Sequence, residues 1–136
     1  MKNKKAIVDI YHCEMYNVYL VVANKYTTLE QLKKKYIYSD GVELDDFILD
    51  GIATTATCTD RKTNDKVILV KYNHDNTSKT VNKKTDFVNT VSHEATHVAL
   101  DVFCCVIDQK ISTDCSEPFC YLQGWAAECI YKTWTK

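Results

Sequence analysis

Asp86-Phe87-Val88-Asn89-Thr90-Val91-Ser92-His93-Glu94-Ala95-Thr96-His97-Val98-Ala99-Leu100-Asp101-Val102-Phe103-Cys104-Cys105-Val106-Ile107 is the stretch on which the fold turns. Its apolar residues Val88, Val91, Ala95, Val98, Ala99, Val102 and Val106 recur at helical intervals. The spacing predicts a helix from Asp86 to Ile107, with Thr85 or Asp86 capping its start. At about 100° per residue, both histidines fall almost opposite this stripe, beside Leu100, Cys104 and Ile107. A helix apolar on two sides is expected at the centre of a domain, with one face on a sheet and the other towards a second helix. His93 and His97 would then look into a cleft.

Residues i and i+4 of a helix project from one face. The imidazoles of His93 and His97 can therefore reach one Zn²⁺ at about 2.0–2.1 Å, leaving Glu94 to handle protons on an activated water. That is the H-E-x-x-H signature of a zinc metallopeptidase. A catalytic zinc site takes three protein ligands and keeps a fourth position open. In the longer pattern H-E-x-x-H-x-x-G-x-x-H the third ligand would be residue 103, which is Phe103, and Leu100 stands in the glycine position, so that ligand set is excluded. Glu117 lies twenty residues after His97. Ser116 is a good cap, Pro118 suits a first helical turn, and Phe119, Leu122, Ala126, Cys129 and Ile130 continue at helical spacing. Glu117, Tyr121, Gly124 and Glu128 form a second stripe on that helix. A loop from Asp108 to Cys115 would turn it back so that its first carboxylate meets the imidazoles.

His93-Glu94-x-x-His97 followed by Glu117 resembles the gluzincins, the thermolysin-like zinc peptidases, whose third ligand is a helical glutamate about twenty residues past the motif. The strings Ser92-His93-Glu94-Ala95-Thr96-His97-Val98-Ala99-Leu100-Asp101 and Glu117-Pro118-Phe119-Cys120-Tyr121-Leu122-Gln123-Gly124-Trp125 also resemble small peptidases encoded by bacteriophages. The resemblance covers roughly the last 50 residues. It implies a minimal zincin-like domain, Zn²⁺ on His93, His97 and Glu117, and Glu94 as general base. It further implies an endopeptidase acting on a peptide or protein in the cytoplasm of a bacterial host. Tyr121 stands where the larger enzymes carry an aspartate that buttresses a ligand histidine; Asp101, one turn beyond His97, is the candidate substitute or else an exposed helix aspartate. Tyr121, His74 and Tyr72 are the candidates for a second oxyanion donor beside the metal. In zincins an edge strand before the metal helix pairs with extended substrate, a role the resemblance assigns here to Lys66–Tyr72.

The rest of the chain bounds this reading. Its 136 residues suffice for one domain, residues 1–136, with a real core. A net charge of −1 with scattered lysines argues against capture of nucleic acid or an anionic membrane. No signal peptide is expected, no apolar run approaches the length of a membrane span, and a monomer is expected. The seven cysteines are odd in number and form no CxxC pair, so they read as reduced thiols behaving as small hydrophobes. Ala6–Tyr11 and Asn17–Ala23 read as strands joined around His12–Tyr16, and Thr28–Tyr36 as a short helix capped by Thr27 or Thr28. Phe47–Thr59 and Lys66–Tyr72 read as a second hairpin turning through Asp60–Asp65, and Asn73–Lys84 as a polar loop. The fold class is therefore α+β: a small mixed or antiparallel sheet packed on a central helix, plus a C-terminal helix carrying the third ligand.

Two other functions fit the same residues. A regulatory or interaction protein could keep the fold and the metal without proteolysis; Cys104, on the histidine face, would then close the site as a fourth ligand. Glu94 argues against it, because a structural zinc needs no proton shuttle. The other is metal-dependent hydrolysis of a non-peptide amide. In each case a chain this short implies a shallow, open cleft.

Overall fold

A computed structural model describes residues 4–74, 83–114 and 116–136. It is an α+β arrangement of one five-stranded mixed sheet and three α-helices. The strands are β1 (Val8–Cys13), β2 (Val18–Ala23), β3 (Tyr36–Tyr38), β4 (Ala53–Asp60) and β5 (Lys66–Tyr72), in the spatial order β1-β2-β5-β4-β3. Only the β2–β5 pair is parallel. The helices are α1 (Leu29–Lys33), α2 (Lys83–Asp101) and α3 (Glu117–Trp134).

The two middle strands explain the layering. Val18, Leu20 and Val22 of β2 and Ile68 and Val70 of β5 face one way, and meet Val91, Ala95, Val98, Ala99 and Val102 of α2 together with Leu122, Ala126, Cys129 and Ile130 of α3. Val21, Ala23, Val67 and Leu69 face the other way, onto Leu32 of α1, Tyr36, Leu44 and Ile48. A strand apolar on both faces is a strand covered on both faces. Lys66–Tyr72 is thus the centre of the sheet, hydrogen-bonded to β2 on one side and β4 on the other, and not the edge strand expected from the zincin resemblance. Between the edge strands β1 and β3, β4 is paired along only part of its outer side among the described residues. Strand β3 covers only Cys58–Asp60, and the Ser39 N–H extends that pairing to the Thr57 carbonyl. Because strand residues alternate, the Thr55 N–H and C=O continue this edge beyond the end of β3.

Several element boundaries move for local reasons. Asn17 adopts φ 47° in the turn between β1 and β2, so the second strand starts at Val18. Thr28 and Gln31 form a reciprocal capping box at the start of α1, but the helix stops at Lys33 and Tyr36 begins a strand. The expected long strand from Phe47 is broken: Asp45 caps a 3₁₀ turn over Asp46–Leu49, Gly51 takes φ 65°, and pairing begins at Ala53. Helix α2 starts at Lys83, which puts Thr85 and Asp86 inside its first turn instead of at its cap. It continues through a π-helical turn, Val102–Val106, closed by the Ile107 N–H on the Val102 carbonyl at 3.0 Å. Pro118 lies in the first turn of α3, and Ser116 is its N-cap residue by position, without a side-chain capping bond. Most of the polar loop expected between Asn73 and Lys84 (residues 75–82) lies outside the described residues. Among the described residues, no helix is long and apolar enough to cross a membrane.

Candidate metal centre and active site

Helical phase alone sorts the three key side chains of α2. The sheet-facing stripe centres on Val91, Val98 and Val102. On a wheel of about 100° per residue, Glu94 stands roughly 40° from Val98, so burying the stripe draws Glu94 into the flank beside β4. His97 and His93 stand roughly 100° and 140° away, and both remain exposed. The His93 side chain is 65% accessible and that of Glu94 is 6%. The second apolar side expected for this helix does not face α3: Cys104 is exposed like the histidines, and the histidine face opens outward.

The two imidazoles converge. Nε2 of His93 lies 3.2 Å from Nε2 of His97, with the rings inclined at 71°. Two nitrogens each about 2.0–2.1 Å from a tetrahedral ion are separated by about 3.3–3.4 Å, so one Zn²⁺ fits this pair as its first two ligands. Glu94 divides its carboxylate: Oε2 accepts a 2.5 Å hydrogen bond from the Thr55 hydroxyl of β4, and Oε1 lies 4.0 Å from Nε2 of His93. Two residues along β4, Thr57 donates to Asp101 Oδ2 at 3.3 Å. Burial pushes the Asp101 carboxyl above its ordinary range, against the opposing pull of the Thr57 hydroxyl and of His97. Asp101 is therefore a half-buried group within the electrostatic reach of His97, and not an exposed helix aspartate.

The other expected site residues sit apart from the pair. Among the described residues, no three His, Cys, Asp or Glu side chains assemble into a metal-holding group. Glu117 is exposed at the start of α3. The ring pairs Phe103–Phe119 at 5.7 Å and Phe87–Trp134 at 6.2 Å set α3 antiparallel to α2, with its first turn beside the π-helical extension. That register leaves Glu117 on the order of 12 Å past His97 along the helix axis, at 1.5 Å per residue. Tyr121 is 75% exposed and lines a groove of about 500 Å³ against the β1–β2 turn, with Met15, Tyr16 and Trp125. Tyr72 is buried in an aromatic cluster with Trp134 and Phe87, which makes it a packing residue. His74 follows β5 and is exposed, its backbone N–H held by the Ile52 carbonyl at 3.3 Å. The six described cysteines are free thiols, and burial raises Cys58 to about 12 and Cys129 to about 11, so both are packing residues and poor nucleophiles.

Thr55 and Thr57 are the site residues that sequence reasoning missed. Their signal is the alternation Thr55, Thr57, Thr59 in β4, which places three hydroxyls on the α2 side of the sheet while Ala56 and Cys58 turn into the opposite core. Nothing local in the sequence connects that row to Glu94, 39 residues away. Comparison with protein-family models, with curated proteins and with solved structures finds no match.

Proposed function

We propose that this protein is a zinc-dependent peptidase of the gluzincin-like kind, built on a minimal zincin-like α+β domain. The observation that carries the reading is the convergence of two histidine nitrogens to 3.2 Å beside a buried glutamate. His93 and His97 would hold the metal; Glu117 is the proposed third ligand, and completing the set would require the first turn of α3 to shift towards the pair. Zn²⁺ bound there would lower the pKa of a water towards about 7 and polarise a peptide carbonyl. Glu94 takes the proton on Oε1, the oxygen not engaged by Thr55, and passes it to the leaving amine. Extended substrate would add to the free part of β4, whose Thr55 N–H and C=O lie on the same residue that holds Glu94. Tyr121 would reach an oxyanion only with the same shift of α3. The resemblance to small phage-encoded peptidases supports action in a bacterial cytoplasm. One observation favours a second reading, a metal-binding regulatory protein: the described residues do not assemble a third ligand.

Zinc content of the untagged chain, purified without chelators, tests the site. One zinc per chain, lost in His97→Ala and in Glu117→Ala, is expected; no zinc after supply in excess overturns the reading. Zinc retained in Glu117→Ala removes that residue from the ligand set. Cleavage of a peptide library by the loaded chain, abolished in Glu94→Gln, separates the peptidase from the regulatory protein, which would bind zinc and cleave nothing.

A further inference from the structure

We infer that Thr55 is the positioning residue for Glu94, fixing which carboxylate oxygen faces the histidines. A buried carboxylate needs donors, and Glu94, 4% exposed, has the Thr55 hydroxyl at 2.5 Å. A hydroxyl donating to a carboxyl oxygen at this length is a short, strong hydrogen bond. The donor is itself held. Thr55 pairs with Val70 of the central strand, and its β-branched side chain has few rotamers on a strand. With Oε2 engaged, the carboxylate presents Oε1 towards His93 at 4.0 Å. Without the hydroxyl, nothing on β4 keeps the carboxylate from swinging over the exposed histidine pair, where it would bind the metal as a ligand instead of serving as a base. Thr55 therefore separates two roles that the H-E-x-x-H spacing leaves open to the same side chain. The catalytic consequence rests on the peptidase reading; the contact itself does not.

The test has a metal-free arm and a metal-loaded arm. In the metal-free chain, a double-mutant cycle of Thr55→Val and Glu94→Ala is read by thermal melting. Thr55→Val alone is expected to lower the midpoint by about 5 °C, and to lower it by much less once Glu94 is alanine. Additive effects overturn the inference. In the loaded chain, Thr55→Val is expected to reduce kcat at least about tenfold with KM within about twofold. Zinc is expected to bind as tightly as in the parent chain or more tightly, and Thr55→Ser to restore most of the rate. Weaker zinc binding, or a serine variant as slow as the valine, overturns the positioning role. Coupling in the cycle with a parent chain that cleaves no peptide overturns the peptidase reading instead, leaving Thr55 a structural partner of Glu94.

Discussion

Lys71 places an amine in the middle of the sheet at 1% exposure, on the face that packs against α1 and the 3₁₀ turn. Its Nζ donates to the Tyr72 carbonyl at 2.5 Å, and burial lowers its pKa from 10.5 to about 8. Two and a half pKa units correspond to about 3 kcal/mol of penalty on the charged form. Between pH 8 and 10.5 the unfolded chain holds this proton and the folded chain does not, so stability carried by this group rises with pH; below 8 the full penalty applies. Cys58 and Cys129 oppose the trend, since their thiols stay protonated in the fold up to about 12 and about 11 but ionise near 9 when unfolded. Comparison with Lys71→Met isolates the lysine. The variant is expected to be about 1–2 kcal/mol more stable at pH 7 by urea denaturation, and its advantage should vanish or reverse by pH 10, where most of the penalty on the lysine is gone. An advantage that does not shrink would place the ammonium in a better solvated site than its burial implies.

Strand β5 and helix α2 show what was legible element by element. Lys66–Tyr72 reads as a strand from its continuous apolar run between polar turns, and its central place was also written there: Val67 and Leu69 face one core while Ile68 and Val70 face the other. The resemblance to zincins pointed to an edge and masked that pattern. Helix α2 was legible from its period, and so was the placing of both histidines opposite its sheet-facing stripe, but not their exposure, since that face was expected to look into a cleft. The direction of its second side was not, because Cys104 and Ile107 look apolar in sequence whether a helix covers them or not. The strongest test at this scale joins α2 to β4 through Asp101, one turn past His97 and held by Thr57. A carboxylate that orients a ligand imidazole is typically worth about 10–100-fold in metal affinity. Asp101→Asn is therefore expected to weaken zinc binding about tenfold in competition with a chromophoric chelator, with the melting midpoint of the metal-free chain little changed. Unchanged affinity would make Asp101 a partner of Thr57 alone.

At the scale of the molecule, the end opposite the π-helical turn holds the layers together. Trp134 of α3 stacks on Tyr72 of β5 at 4.6 Å, meets Phe87 of α2 at 6.2 Å, and donates its indole N–H to the Ala23 carbonyl of β2 at 3.1 Å. Thr133 and Lys136 bind Asp9 of β1, and the Tyr11 hydroxyl lies 2.9 Å from that of Thr133. One end of α3 thereby ties down three strands and the first turns of the helix that carries the histidines. Sequence could not show this, because Tyr11, Tyr72, Phe87 and Trp134 are scattered along the chain and nothing in the spacing of one predicts the next. The placement of Glu117 is illegible for the same reason: an interval of twenty residues states how far the chain has run, while the stacking of Trp134 and the pairing of Phe103 with Phe119 decide how α3 lies on α2. Trp134→Ala removes stacking, burial and a hydrogen bond together and is expected to cost about 3 kcal/mol in urea denaturation. Trp134→Phe keeps a ring but leaves the Ala23 carbonyl without its donor, for about 1 kcal/mol. If the cluster sets the pose of α3, and with it the distance of Glu117 from the histidines, the alanine variant of the folded chain should also differ in zinc affinity from the phenylalanine variant, although neither touches the histidines. Equal zinc affinity in the two would mean that α2 holds the metal without help from the far end of α3.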